Sequence, residues 1–122
     1  MTRILLIEDD PDILALIAHK LRRAGHEVTS EMDGLSGLEA VRRDRPDLVV
    51  LDWMMPGMTG LELCRTVRAD AEVAHTRIMM LTAKAQPHDL ERAYAVGADD
   101  YLLKPFRSAE LLQRVAALLA RD

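Results

Sequence analysis

Six charged or hydroxyl-bearing residues in this 122-residue chain stand directly behind short apolar runs. Glu8, Asp9 and Asp10 follow the run 3–7, Asp52 follows 48–51, Thr82 follows 78–81, and Lys104, with Pro105 after it, follows 101–103. Carboxylates brought together repel one another unless something positive intervenes. Their all-oxygen donors suit a hard divalent cation, and Mg²⁺ takes one or two carboxylates while keeping waters and room for a phosphate oxygen. Beside such an ion, a carboxylate ending a buried strand can attack a phosphoryl group in line and become an acyl phosphate. Asp52 is the candidate nucleophile. Lys104 is the point charge that reaches across to the phosphoryl group, and Thr82 offers a hydroxyl to one of its oxygens. The stretch Trp53-Met54-Met55-Pro56-Gly57 can supply a backbone carbonyl to the ion and an N–H to the phosphoryl group. Each residue alone would be an ordinary polar strand end. Their joint occurrence behind four runs carries the reading, because an uncompensated acidic cluster would only destabilise a fold.

The elements that must position these residues follow from periodicity. Strand-length apolar runs alternate five times with longer segments of helical period, the pattern of a parallel sheet covered by helices. The expected strands are 3–7, 27–30, 48–51, 78–81 and 101–103, of which the first, third and fourth are apolar enough to be central and covered on both faces. Asp10 is placed to cap the first helix, with Pro11 in its first turn, an inward stripe of Ile13, Leu14, Ile17 and Leu21, and Gly25 as its stop. Further helices are expected over 35–43 with Leu38 and Val41 inward, over 61–68 with Leu63 and Val67 inward, and over about 87–96. A fifth follows Ser108, with Leu111, Leu112, Val115, Leu118 and Leu119 as its apolar face. Five strand–helix units with right-handed crossovers give an α/β, doubly wound, five-stranded parallel sheet of flavodoxin-like order 2-1-3-4-5. That order makes the first and third strands neighbours, so Asp9 and Asp52 converge with Glu8 beside them. No repeat, low-complexity tract or linker composition divides the chain, and residues 1–122 read as one domain.

Composition narrows the function classes. Apolar residues make up 49% of the chain, enough for a core without staples. The single cysteine, Cys64, cannot form an internal disulfide and reads as a small buried apolar side chain in a reducing setting. His19, His26, His75 and His88 show no metal-ligand spacing, which excludes a zinc site. A net charge of -4 and a pI near 5.5 give no positive field for phosphate backbones, so direct binding of nucleic acid by this domain is not expected. The pairs Arg22-Arg23 and Arg42-Arg43 fall where helix ends are expected and offset helix dipoles there. No apolar run reaches the roughly 20 residues of a membrane span, and the start at Met1-Thr2-Arg3 lacks signal-peptide form. A soluble, cytoplasmic protein is expected.

From Ile4-Leu5-Leu6-Ile7-Glu8-Asp9-Asp10 to the fifth helix, the chain resembles the receiver domains of two-component response regulators. The resemblance runs through Leu51-Asp52-Trp53-Met54-Met55-Pro56-Gly57-Met58-Thr59-Gly60, Met80-Leu81-Thr82-Ala83 and Gly97-Ala98-Asp99-Asp100-Tyr101-Leu102-Leu103-Lys104-Pro105-Phe106. It supports the same strand order, and implies phosphorylation of Asp52 by a sensor histidine kinase. It implies a Mg²⁺ site made by Asp9, Asp52 and the Met54 carbonyl, with Glu8 acting through water. It further implies a switch pair, Thr82 and Tyr101, and a cis Lys104-Pro105 bond. In such a switch the Thr82 hydroxyl moves toward the phosphoryl group and the Tyr101 ring turns into the space it leaves, altering the surface of the fourth helix and fifth strand.

Among receivers the chain is most similar to those attached to winged-helix DNA-binding domains, which implies control of transcription. That class forms a homodimer on phosphorylation through the fourth helix, fifth strand and fifth helix. Asp100 and Arg114 match one of its ion pairs and Glu110 half of another, while Leu90 replaces a usual arginine and Glu91 a usual apolar contact. The expected protein is no enzyme beyond promoting its own phosphorylation and slow dephosphorylation, with Met54 and Lys84 restricting the attacking water.

Other classes fit less well. A phosphatase of the haloacid dehalogenase type uses a strand-end aspartate too, but needs a second acid where this chain has Met54. A flavodoxin-like electron carrier wants a hydroxyl-rich loop where this chain has three acids. A single-domain receiver, or a receiver-shaped module that binds proteins without phosphorylation, remains the alternative. The complete set Asp9, Asp52, Thr82 and Lys104 speaks against the second.

Overall fold

The computed structural model describes residues 2–84 and 86–121; the expectations placed on Met1 and Asp122 lie outside the described residues. Five strands, β1 (Arg3–Ile7), β2 (Glu27–Glu31), β3 (Leu48–Asp52), β4 (Arg77–Thr82) and β5 (Asp100–Leu103), alternate with five helices. The helices are α1 (Pro11–Arg23), α2 (Gly34–Asp44), α3 (Gly60–Ala69), α4 (Pro87–Ala95) and α5 (Ser108–Leu119). All strand pairs are parallel, in the order β2-β1-β3-β4-β5.

Alternation along the three central strands builds two cores. Leu5, Ile7, Val49, Leu51, Ile78 and Met80 face one side, where Leu38, Val41, Leu63, Val67 and Ala93 of α2, α3 and α4 close over them. Ile4, Leu6, Leu48, Val50, Met79 and Leu81 face the other, under Ile17, Leu21, Leu111, Val115 and Leu118 of α1 and α5. The period of two sends successive side chains to opposite faces, so strands covered on both sides must be apolar throughout. Leu112 and Leu119, expected inward, are only half-buried, as are Ile13 and Leu14.

The starts of α1, α2 and α3, facing the carboxyl edge of the sheet, are pinned by caps and close contacts. The Asp10 carboxylate accepts the N–H groups of Asp12 and Ile13 at 2.9 and 3.2 Å, with Pro11 at the first helical position. Gly25 takes φ 96° just past the end of α1. Asp33 caps α2 through the Ser36 N–H at 2.8 Å, and Thr59 with Glu62 forms a reciprocal capping box on α3. Both helices start one residue before the sequence expectation, at glycines. A Cβ on Gly34 would lie 2.3 Å from the Met58 carbonyl oxygen, and one on Gly60 would lie 2.8 Å from that of Asp52. The two helix starts therefore press directly on the loop that follows Asp52. Gly34→Ala is expected to cost on the order of 1–3 kcal/mol, read as a lowered midpoint in denaturant unfolding; an unchanged midpoint would refute the close approach.

Ser108 was expected to precede α5 but is its first helical residue. Arg107 is extended (ψ 145°) and its carbonyl accepts the Leu111 N–H at 3.1 Å, which makes Arg107 the cap. No helix among the described residues is long and apolar enough to cross a membrane.

Candidate functional site

β1 and β3 run side by side with Ile7 opposite Leu51, so the residues ending them emerge together at the carboxyl edge. Oxygen atoms of Glu8, Asp9 and Asp52 all lie within 4.8 Å of one another. Glu8 is 1% exposed and Asp52 9%, while Asp9 stands in the open. Lys104, delivered by the end of β5, places its Nζ 3.0 Å from Glu8 Oε1 and 3.2 Å from Asp52 Oδ2. The Asp10 N–H donates to the other Glu8 oxygen at 3.3 Å, and the Met54 N–H donates to Asp52 Oδ1 at 3.3 Å. The Asp10 side chain itself serves the α1 cap, so two acids of the first run join Asp52 rather than three.

The electrostatics follow from this packing. Burial pushes the Glu8 carboxyl up to about 7 and the Asp52 charge adds to the rise, against the opposing pull of Lys104 and the Asp10 N–H. Burial works against the charge on Lys104, yet its hydrogen bond to Glu8 and the two carboxylate charges outweigh that and hold its pKa above the ordinary lysine value. One cation facing three acids leaves the cluster short of positive charge. Its donor set, all carboxylate oxygen, fits a hard divalent ion such as Mg²⁺ and would suit zinc poorly.

Thr82 ends β4, buried, and its hydroxyl accepts the Lys84 N–H at 3.1 Å. Tyr101 is buried too; its hydroxyl donates to the Lys84 carbonyl and its ring meets that of Trp53 edge-on at 6.2 Å. Burial raises the Tyr101 pKa. The Lys104-Pro105 bond is cis. The expected dimer residues already have partners within the chain. Arg114 Nη1 lies 2.8 Å from Asp100 Oδ1 and 3.2 Å from the Tyr101 carbonyl, and Arg114 Nη2 lies 3.8 Å from Glu110.

Three features were not read from the sequence. The Thr59–Glu62 capping box was legible as T-x-x-E. The staple at the far end of the sheet was not: Arg68 donates to the Gly97 and Ala74 carbonyls and to Asp99, whose carboxylate also accepts the Ile78 N–H. Nor was the placing of the Lys84 and Arg92 cations 5.6 and 5.7 Å from the centre of the Trp53 ring. Cys64 matches its expected role. It is fully buried, its thiol donates to the Val96 carbonyl at 3.4 Å, and burial pushes its pKa up to about 11. The folded protein should resist iodoacetamide at pH 8 and alkylate once unfolded, as mass spectrometry would record; rapid labelling of the native state would contradict the burial.

Residues 4–116 match the family model described as the response regulator receiver domain. The chain belongs to that family. The receiver is 46% identical over 120 residues to the DNA-binding response regulator MtrA of Mycolicibacterium smegmatis, a match covering 98% of this chain and 51% of that protein. It thus spans about half the length of the curated relatives it matches. Its fold superposes on the Vibrio cholerae chemotaxis response regulator CheY4 with a TM-score of 0.92 at 34% identity, covering 97% of this chain and 98% of that one. The receiver domain of the Pseudomonas aeruginosa sensor histidine kinase PA1611, with a magnesium ion coordinated in its active site cleft, matches with a TM-score of 0.90 at 33% identity and 98% of both chains. Receivers take phosphoryl groups from sensor histidine kinases and generally bind Mg²⁺, so the acidic cluster sits in a signalling switch.

Proposed function

We propose that Asp52 is the phosphoacceptor of this receiver and that a sensor histidine kinase supplies the phosphoryl group. The observation that carries this reading is the Lys104 ammonium held between Glu8 and Asp52 at the open end of the sheet. Asp9, Asp52 and the Met54 carbonyl would hold Mg²⁺, with Glu8 acting through water; bound there, the ion would offset the acidic charge and that on the phosphoryl oxygens. An Asp52 oxygen forms the new O–P bond as the bond from phosphorus to the donor nitrogen breaks. The Met54 N–H keeps the carboxylate oriented for that attack. Lys104 moves from the carboxylates to the arriving phosphoryl oxygens. The Thr82 hydroxyl, which accepts from Lys84, retains its own proton to donate to the product.

Thr82 and Tyr101 then form the switch pair, and residues 1–122 act as one receiver unit. The domain is no enzyme beyond promoting its own phosphorylation and slow dephosphorylation, with exposed Met54 and half-buried Lys84 limiting the attacking water. Likeness to DNA-binding regulators supports transcription as the output; the setting is the cytoplasm, and this acidic domain itself makes no direct contact with nucleic acid. A homodimer formed on phosphorylation would re-pair Asp100, Glu110 and Arg114 across two copies, which size measurement with and without beryllofluoride would detect.

Incubation with acetyl phosphate and Mg²⁺ should add one phosphoryl group by intact mass, and a chelator should prevent it. No increment under either condition would favour the alternative, a receiver-shaped module that binds a protein partner without phosphorylation.

A further inference from the structure

Trp53 is the one tryptophan of the chain and the residue next to Asp52. Its backbone is fixed on both sides: its N–H donates to the Leu81 carbonyl at 3.1 Å and its carbonyl accepts the Gly60 N–H at 2.9 Å. Its ring is 3% exposed and lies under two cations, Lys84 Nζ at 5.6 Å and the Arg92 guanidinium at 5.7 Å from the ring centre. Both distances fall within the range at which a cation is attracted to the face of an indole.

The two cations belong to different parts of the switch. Lys84 lies in the segment between β4 and α4, and every part of it is engaged: its N–H with the Thr82 hydroxyl, its carbonyl with the Tyr101 hydroxyl, its ammonium with the Trp53 ring. Arg92 is on α4. That helix is lightly held, since its N-cap Gln86 makes no side-chain cap bond and its buried residues, among those described, are Asp89 and Ala93.

We propose that Lys84 and Arg92 act as positioning residues that clamp α4 to the phosphoacceptor strand through the Trp53 ring. The clamp couples charge at the site to the helix. A phosphoryl group on Asp52 competes with the ring for the Lys84 ammonium, and loss of that contact frees the segment leading into α4, which is then tied to Trp53 through Arg92. This coupling rests on Asp52 being the phosphoacceptor; the clamp itself does not.

Because the chain has one tryptophan, biosynthetic fluorotryptophan labelling changes this ring alone, and each added fluorine weakens the negative ring face with little change in shape. Hydrogen exchange of the α4 amides should speed up along the series, by roughly two- to fivefold from tryptophan to the most fluorinated ring. In the double variant Lys84→Met, Arg92→Met the same series should be flat, because no cation remains to sense the ring. A flat series in the unsubstituted chain, or an equal trend in the double variant, would overturn the clamp.

The coupling is read with beryllofluoride and Mg²⁺, followed by Trp53 fluorescence and by α4 exchange. Binding that alters α4 exchange in the unsubstituted chain but not in the double variant supports it, and an equal change in both overturns it. If beryllofluoride does not bind the unsubstituted chain, the phosphoacceptor reading fails together with the coupling, while the fluorotryptophan series still decides the clamp.

Discussion

Asp52→Asn should abolish the phosphoryl mass increment while leaving the receiver folded. The amide keeps the shape of the carboxylate and can still accept the Met54 N–H at the distance, 3.3 Å, that the carboxylate shows. What it loses is the nucleophilic oxygen anion, and among the described residues no neighbouring group replaces it: Glu8 is buried and engaged by Lys104, and Asp9 sits on another strand end. The expected result with acetyl phosphate and Mg²⁺ is therefore complete loss rather than a slowed reaction. Circular dichroism and thermal melting should show native structure, with stability in chelator equal to or above that of the parent, because one of three crowded acids is gone. An undiminished increment would move the phosphoacceptor to a different residue.

Glu8→Gln should stabilise the metal-free protein, and by more at higher pH. Burial holds the Glu8 carboxyl at about 7 in the folded chain, against 4.5 for an ordinary glutamate. A group raised on folding keeps its proton in the native state where the unfolded chain has lost it. Its contribution is fully present below about 4.5 and is lost as pH rises toward about 7. Above that range the native state must carry a buried carboxylate beside Asp52, with Lys104 as partial compensation. Glutamine carries no charge at any pH, so melts in chelator should show a gap in its favour that opens between pH 5 and 8. The gap should reach on the order of 1–3 kcal/mol, or several degrees in midpoint. Added Mg²⁺ should narrow or reverse it, since the cation stabilises the charged site of the parent. A gap that does not change with pH would show that Glu8 is not raised by its surroundings.

Legibility divided along a physical line. Strand positions came from continuous apolar runs at 4–7, 48–51 and 78–81, because a strand covered on both faces leaves no polar alternation to misread. The first helix was bounded by Asp10, Pro11 and Gly25, whose cap, ring and positive φ are local properties. The starts of α2 and α3 were placed one residue late. Asp33 and Thr59 cap these helices, which makes Gly34 and Gly60 their first residues, and the backbone of Met58 and of Asp52 passes so close that only glycine fits there, which no propensity encodes. The fifth helix was expected to follow Ser108, yet the extended Arg107 takes the cap position and Ser108 is already helical.

The chemical identity of the site was thus set by sequence alone. Glu8, Asp9, Asp52, Thr82 and Lys104 stand behind their runs in the chain order that a parallel sheet converts into one edge. Tertiary structure decided how those groups divide their work. Asp10 turns to cap a helix, Lys104 spans two particular carboxylates, and Arg114 pairs with Asp100 of its own chain. It likewise placed two cations from β4–α4 and α4 over one indole beside the acid cluster. Residue type and local spacing specify which groups arrive at a strand end. Which of them touch depends on directions and distances between segments far apart in sequence, and those exist only once the sheet and its two helical layers have packed.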